Sequence, residues 1–215
     1  MQPPFSFAHG AKYGSTVAIS SGSYHTCALE QRQGVETNGA LRCWGQNSHG
    51  QASPPPGIFK QVSSGAFLSC AISVDSKVKC WGQIVGTPAH RGFRQVSAGK
   101  SHACGLTASG RVECWGRNDH GESDAPRHQY DQVSCGNSNT CGLRLDGSVD
   151  CWGKFYGLGN AIVPKDKFKQ ISVGPKHKVC GITKLGDVKC WGSSLVPLDE
   201  TLGGDKDGEF YFALS

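Results

Sequence analysis

No apolar run in this chain approaches the roughly 18 residues that carry a helix across a bilayer, so no membrane insertion is expected. Methionine occurs once and long apolar runs are few, which argues against a helical protein. The opening residues, MQPPFSFAHG, lack the basic and apolar regions of a secretory leader; a secreted form is expected to have lost its leader already. Missing too are GxSxG, HExxH, a Walker-type phosphate loop and C-x-x-C, so neither an enzyme nor a cofactor is expected. Asp75, Asp146 and Asp187 fall in or near turns, where a carboxylate caps the turn and is solvated. The net charge is a mild +5, and the basic residues are scattered and form no run that would read as a nucleic-acid site. Residues 193–215 hold five acidic residues against Lys206, which leaves 21 basic and 12 acidic residues, or +9, on the rest.

What the chain does have is glycine, 30 of them, and a repeat. Cys-Trp-Gly recurs with its Trp at positions 44, 81, 115, 152 and 191, at intervals of 37, 34, 37 and 39 residues. Each unit opens with an apolar residue three before a glycine: Ile19/Gly22, Val62/Gly65, Val96/Gly99, Val133/Gly136 and Ile171/Gly174. In four units an aromatic, one residue and Gln come just before, as FKQV, FRQV, YDQV and FKQI. Five units at this period predict a toroid or solenoid of small sheets with no domain boundary between them. The units fall at about 17–58, 59–92, 93–129, 130–167 and 168–192, in a single domain over 1–215.

Inside the unit the apolar period is two, the strand period. Folding GKSHACGLTASGRVECWG about Ser109 sets Cys104 opposite Cys114 and Leu106 opposite Val112. The same layer sets Cys27 with Leu29 against Leu41 and Cys43, and Cys70 with Ile72 against Val78 and Cys80. It also sets Cys141 with Leu143 against Val149 and Cys151, and Cys180 with Ile182 against Val188 and Cys190. Three uses of these ten cysteines are open. Five cross-strand disulfides in an oxidising compartment is the first and the expected one. Five pairs of buried thiols packing as small hydrophobes is the second. Metal binding is the third, although C-x9-C lacks the close ligand spacing of zinc sites. Cys135 is left over, in the place taken elsewhere by Ser21, Ser64, Ala98 and Val173, and is expected to be a buried free thiol.

The order G-x-x-H-x-C, an apolar pair, a Gly turn, C-W-G and then N-x-x-G resembles the repeat of the regulator of chromosome condensation superfamily. WGQNSHGQ at 44–51 and WGRNDHGE at 115–122 carry its post-tryptophan signature. The paired cysteines look closer to the extracellular branch, as in crinkly-type plant receptor kinases. The resemblance implies an all-β fold, a small β-propeller of antiparallel blades around a channel, here with five repeats and one intra-blade disulfide each. The family usually has seven repeats. Leu68 and Asn139 stand where His25, His102 and His177 carry the repeat histidine, and Val179 is inserted before Cys180. Tyr211-Phe212-Ala213-Leu214-Ser215 is similar to YDQVS at 130–134. It reads as a strand that closes the ring or, alternatively, as the start of a longer propeller; closure is the expectation.

His25, His102 and His177 share one repeat position and are read as hydrogen-bonding residues of the frame; a ring of proton carriers is the competing reading. The five Trp, each after an inward-pointing cysteine, are read as inter-blade packing, with sugar platforms as the competing reading. Function is sought where positions vary inside a constant frame. In a four-stranded meander, the loop before each blade's first Cys and the loop after Trp-Gly emerge on one face. The candidate partner-binding residues there are Tyr24, Asn47, Phe67, Lys100, Arg117, Asn118, Asn137, Phe155, Tyr156 and Lys176. The expected function is a non-enzymatic binding or assembly module, extracellular or in a secretory lumen, with another protein as partner. A carbohydrate-binding propeller is the alternative. Guanine-nucleotide exchange on a small GTPase, suggested by the superfamily's name, fits poorly with ten paired cysteines in a reducing compartment.

Overall fold

The computed structural model describes residues 16–31, 38–84, 86–154 and 163–192. Residues 193–215, with the expected closing strand, and candidates Phe155 and Tyr156 lie outside them, as does the side chain of Lys176.

Fifteen strands form five antiparallel meanders of three. Blade 1 is β1 (Thr16–Ser21), β2 (His25–Gln31) and β3 (Gly39–Gly45); blade 2 is β4 (Phe59–Ser64), β5 (Leu68–Ser73) and β6 (Val78–Gly82). Blade 3 is β7 (Phe93–Ala98), β8 (His102–Thr107) and β9 (Val112–Gly116); blade 4 is β10 (Tyr130–Cys135), β11 (Asn139–Arg144) and β12 (Val149–Gly153). Blade 5 is β13 (Phe168–Val173), β14 (Lys178–Thr183) and β15 (Val188–Gly192). The expected fourth strand is not found among the described residues. A single bridge, Gly39 to Phe59, joins the sheets of blades 1 and 2, and no described sheet closes on itself.

The hairpin register is the one the period-two pattern requires. Cys104 faces Cys114 and Leu106 faces Val112, and the other four blades repeat this pairing. All five cysteine pairs are disulfides: Cys27–Cys43, Cys70–Cys80, Cys104–Cys114, Cys141–Cys151 and Cys180–Cys190, with Cα separations of 4.0–4.1 Å. Cys135 is the remaining, buried thiol.

In blades 1–4 the two cysteines of a bridge are not equally buried, although the cysteine before each Trp also packs against a core. Cys27, Cys70, Cys104 and Cys141, on the middle strands, are fully buried. Their partners Cys43, Cys80, Cys114 and Cys151 are only half-buried. The third strand is the edge of its sheet among the described residues, so one flank of these sulfurs stays open to solvent. In blade 5 both Cys180 and Cys190 are half-buried.

The core lies between blades, because a three-stranded sheet is too small to bury its own face. In blades 1–4 each Cys/Leu/Val/Cys layer, or its Ile-containing equivalent, packs on the aromatic, the inner apolar residue and the Trp of the following blade. Blade 1's Cys27 and Leu29 meet Phe59, Val62 and Trp81 of blade 2; blade 3's Cys104 and Leu106 meet Tyr130, Val133 and Trp152 of blade 4. The pairs 2–3 and 4–5 repeat the arrangement around Trp115 and Trp191, with Cys80 and Cys151 at the margins of their cores. The ends of the arc show the same rule by default. With no preceding blade among the described residues, Trp44 is 47% exposed, against 5–9% for the other four Trp. At the other end Val188 of blade 5 is exposed, with no blade after it among the described residues.

The aromatic-x-Gln-apolar-Ser motif links blades through side chains. Gln61 Oε1 accepts from Val96 N, Gln95 Oε1 from Val133 N and Gln132 Oε1 from Ile171 N, at 2.8–2.9 Å. Ser63, Ser97 and Ser134 accept from the backbone N–H two residues further on, of Ala98, Cys135 and Val173, at 2.9–3.0 Å. These N–H groups sit on first strands whose ladder partner lies on the other side, so the side chains satisfy donors that would otherwise be buried unpaired. Contacts between first strands of consecutive blades make these the innermost strands of the arc. There the chain passes from β1, β4 and β7 into glycine, and Ser23, Ala66 and Lys100 donate N–H to the carbonyls of Gly65, Gly99 and Gly136 at 3.0–3.3 Å.

Candidate functional site

Because each blade is a three-stranded meander, the turn after its first strand and the exit from its third share one end. Backbone bonds hold them together: Gln46 N to Tyr24 O, Gln83 N to Phe67 O, Arg117 N to Ser101 O and Lys154 N to Ser138 O, at 2.7–2.9 Å. The two variable loop sets therefore form one face.

Three of the candidate residues meet on that face, from three blades. Tyr24 stacks on Phe67 with ring centroids 5.7 Å apart and planes 23° from parallel. Lys100 Nζ stands 5.9 Å from the Phe67 ring centre, inside the range where an ammonium is attracted to a π-face. His49, which no feature of the sequence singles out, meets Phe67 edge-on at 5.3 Å. Tyr24 is 55% exposed, Phe67 and Lys100 are half-buried and His49 is exposed. The result is a contiguous aromatic surface with a cation at its edge. Its Tyr and Phe are residue types enriched at protein interfaces, and the Tyr24 hydroxyl and Lys100 ammonium add polar groups beside them.

The other candidates are placed differently. Asn47 and Asn118 close their own loops: Asn47 Nδ2 donates to Ser53 Oγ and its Oδ1 accepts from Ala52 N, while Asn118 bonds Asp124 and Ser123 in the same way, at 2.8–2.9 Å. Their amides are frame, like the Gly that follows. Arg117 is ion-paired to Asp119 at 2.6 Å. Asn137 is half-buried in the turn after β10. Among the described residues no ring contact, hydrogen bond or ion pair ties Arg117, Asn118 or Asn137 to the Tyr24–Phe67 cluster.

The repeat histidines are interior groups. His25 and His102 are buried, and each reaches the next blade: His25 Nε2 to Ser69 Oγ at 2.6 Å and His102 Nε2 to Thr140 Oγ1 at 2.8 Å. Ser69 and Thr140 in turn donate to the carbonyls of Gln51 and Glu122, which also take the indole N–H of Trp81 and Trp152. Blades 1 and 3 thus clasp blades 2 and 4 by one device, supplied by the N-x-H-G-Gln/Glu loops. Desolvation lowers the His102 pKa to about 4. An unfolded chain takes up that proton near pH 6.5 and the folded one only near pH 4, so protons favour unfolding across this window. Stability is complete above about pH 6.5 and falls by about 1.4 kcal/mol per pH unit below it, down to about pH 4. Burial lowers His25 and His177 in the same sense. Urea midpoints at about pH 7 and about pH 5 are expected to show this loss, and His102→Gln to flatten it.

On blade 4, Asp150 accepts from Arg144, Tyr130 Oη and His128 at 2.6–3.0 Å. The four groups satisfy one another and anchor the first strand to the third.

With this geometry in hand, comparison with known proteins is informative. The regulator of chromosome condensation (RCC1) repeat matches residues 93–122 and 130–156, most of blades 3 and 4. Blades 3 and 4 thus resemble RCC1 repeats. The other three blades share the register, disulfide and Cys-Trp-Gly exit of these two. The chain is similar to the CRINKLY WD40 ectodomain of the Arabidopsis thaliana receptor kinase ACR4, with 25% identity and a TM-score of 0.68 over 86% of this chain and 68% of that one. It is also similar to the entire ectodomain of the Physcomitrella patens receptor kinase CR4, with 29% identity and a TM-score of 0.69 over 83% of this chain and half of that one. Human WBSCR16, at 16% identity and a TM-score of 0.66 over 82% of this chain and 61% of that one, shares the fold. A sequence comparison with curated proteins finds no match. Five disulfides and the likeness to receptor ectodomains point to an extracellular or secretory-pathway location. No described helix is long and apolar enough to cross a membrane.

Proposed function

We propose that this protein is a non-enzymatic, disulfide-stapled binding module that engages an extracellular protein partner through its loop face. The observation that carries the reading is the convergence of Tyr24, Phe67, His49 and Lys100 from four separate loops of three blades. Such a cluster is built by the fold and not by local sequence, and it leaves aromatic area uncovered. The resemblance to receptor-kinase ectodomains supports a protein partner in general. The five blades form the scaffold of a small propeller whose hairpin ends, at the opposite side, carry charged turns such as Asp146–Lys167.

The test compares the two ends. A photo-crosslinker is placed at Tyr24, and another at Leu185, an exposed residue of the β14–β15 hairpin turn. Incubation in native extracellular fluid under non-reducing conditions is expected to give discrete adducts from Tyr24 only. Equal labelling from both ends would remove the reading. Once a partner is in hand, the double change Tyr24→Ala and Phe67→Ala is expected to weaken binding by about tenfold or more, the loss of an aromatic anchor. A glycan array with strong hits that the same double change abolishes would transfer the face to carbohydrate binding.

A further inference from the structure

Cys135 occupies a pocket that the chain builds twice. In blades 1 and 2 the pocket holds His25, Ser69 and the Cys27–Cys43 disulfide, with Ser69 Oγ 3.6 Å from Cys27 Sγ. Ser64, the final residue of β4, pairs with Ser69 across the ladder, and its hydroxyl is buried without a partner among the described residues. In blades 3 and 4 the pocket holds His102, Thr140 and the Cys104–Cys114 disulfide, with Thr140 Oγ1 3.9 Å from Cys104 Sγ. Here the final residue of β10 is Cys135, and Thr140 Oγ1 is 3.9 Å from its sulfur as well. A ring nitrogen of His102, Cys104 Sγ and Cys135 Sγ lie within 4.8 Å of one another. At the same ladder position, one copy has a hydroxyl and the other a thiol, which here lies beside the disulfide. A thiol near a disulfide sulfur can exchange with it; a hydroxyl cannot. The same three residues do not make a metal site while Cys104 is bonded to Cys114, because a ligating sulfur has to be a thiolate.

We propose that Cys135 is an exchange thiol for the Cys104–Cys114 disulfide. The Cys135 thiolate attacks Cys104 Sγ, a Cys104–Cys135 bond forms and the Cys104–Cys114 bond breaks. Cys114 leaves as a thiolate and takes up the proton that Cys135 gave up. One disulfide and one thiol are present before and after, so no oxidant or reductant is consumed. The product joins β8 of blade 3 to β10 of blade 4 and moves the free thiol from a buried strand to half-buried Cys114 on β9. An intra-blade staple becomes an inter-blade one. Burial pushes the Cys135 thiol up to about 12, which keeps the thiolate scarce and the exchange slow at neutral pH.

The experiment uses the oxidised, full-length protein. It is held in mildly alkaline buffer, quenched with acid, labelled with N-ethylmaleimide and digested without reduction for peptide mapping. The label is expected to shift in part from Cys135 to Cys114, with a Cys104–Cys135 linked peptide rising in step, while Cys27–Cys43 stays unchanged. Label confined to Cys135, with Cys104–Cys114 as the only linkage of those peptides, would overturn the proposal. So would Cys135 linked to a second chain in place of Cys104. In a Cys114→Ser variant, Cys104 and Cys135 are expected to pair on oxidation; two free thiols in the folded variant would likewise overturn it. Should that variant fail to fold, the wild-type mapping decides alone.

Discussion

Alanine at Gly65 is expected to lower stability by about 3 kcal/mol or more, which for a chain of this size is a fall of about 6–12 °C in Tm. The reason is a contact between blades. A Cβ on Gly65 would stand 1.9 Å from the carbonyl oxygen of Gly99, and on Gly99 it would stand 2.4 Å from that of Gly136. These are backbone atoms of the next blade, so no side chain can turn aside; the two blades would have to separate, and the Ala66-to-Gly99 hydrogen bond and part of the shared core would go with them. Gly174 is the control that the molecule itself provides. It holds the same repeat position in blade 5, has an extended backbone at φ −94°, and a Cβ there meets only Lys178 O at 3.8 Å. Gly174→Ala is expected to change stability by no more than about 0.5 kcal/mol. A large loss at Gly174 would mean that another element covers the flank of blade 5. Thermal unfolding of the three proteins side by side reads all of this.

Reduction is expected to be more damaging still. Each bridge spans 10 residues, or 16 in blade 1, so the loop-entropy model gives about 2.5–3 kcal/mol apiece. Five together are on the order of the whole net stability of a domain, about 5–15 kcal/mol. The effect is not only on the unfolded chain. The four bridges of blades 1–4 belong to the inter-blade cores, where they pack against residues of the following blade. In Cys180–Cys190 of blade 5 both sulfurs are half-buried, whereas each other bridge has one fully buried cysteine, so it is expected to be the first bridge that a reductant opens. Treatment with dithiothreitol at room temperature is therefore expected to abolish the cooperative thermal transition and the near-ultraviolet circular dichroism of the five Trp. A reduced protein that still melts cooperatively within a few degrees of the oxidised one would show that packing and the Gln and Ser links suffice.

Much of this frame is legible in the sequence because it is local and repeated. The period of two fixes which residues share a face, and the glycine turns fix the hairpin, so the pairing of Cys104 with Cys114 and Leu106 with Val112 needs no tertiary information. How deeply each sulfur is buried does need it: Cys114 and Cys151 share a register position with their fully buried partners Cys104 and Cys141, yet both are only half-buried. The Gln and Ser of FKQVS are visible as a motif, but their role is not, since their partners lie 35 to 39 residues away on another blade. The histidines are recognisable as frame for the same reason, and their partners Ser69 and Thr140 are hidden in the same way. The site divides along this line. Tyr24, Phe67 and Lys100 stand out as variation at fixed positions, and blade-to-blade packing brings them together. Asn47 and Asn118 are readable as frame from their own repetition, since a loop that recurs as N-x-H-G does so for its turn chemistry. His49 belongs to that loop too, yet it faces the aromatic cluster. Its contact with Phe67 depends on where blade 2 is placed, and nothing near position 49 encodes that.

The most direct measurement on the account as a whole is the intact mass of the unreduced protein, taken from its native source and alkylated under denaturing conditions. With ten cysteines in five bridges, one of eleven thiols is free to react, so a single adduct is predicted; reduction before alkylation should raise the count to eleven. Eleven adducts without reduction would contradict the account: the staples would be absent, and with them the extracellular setting in which the loop face is proposed to act.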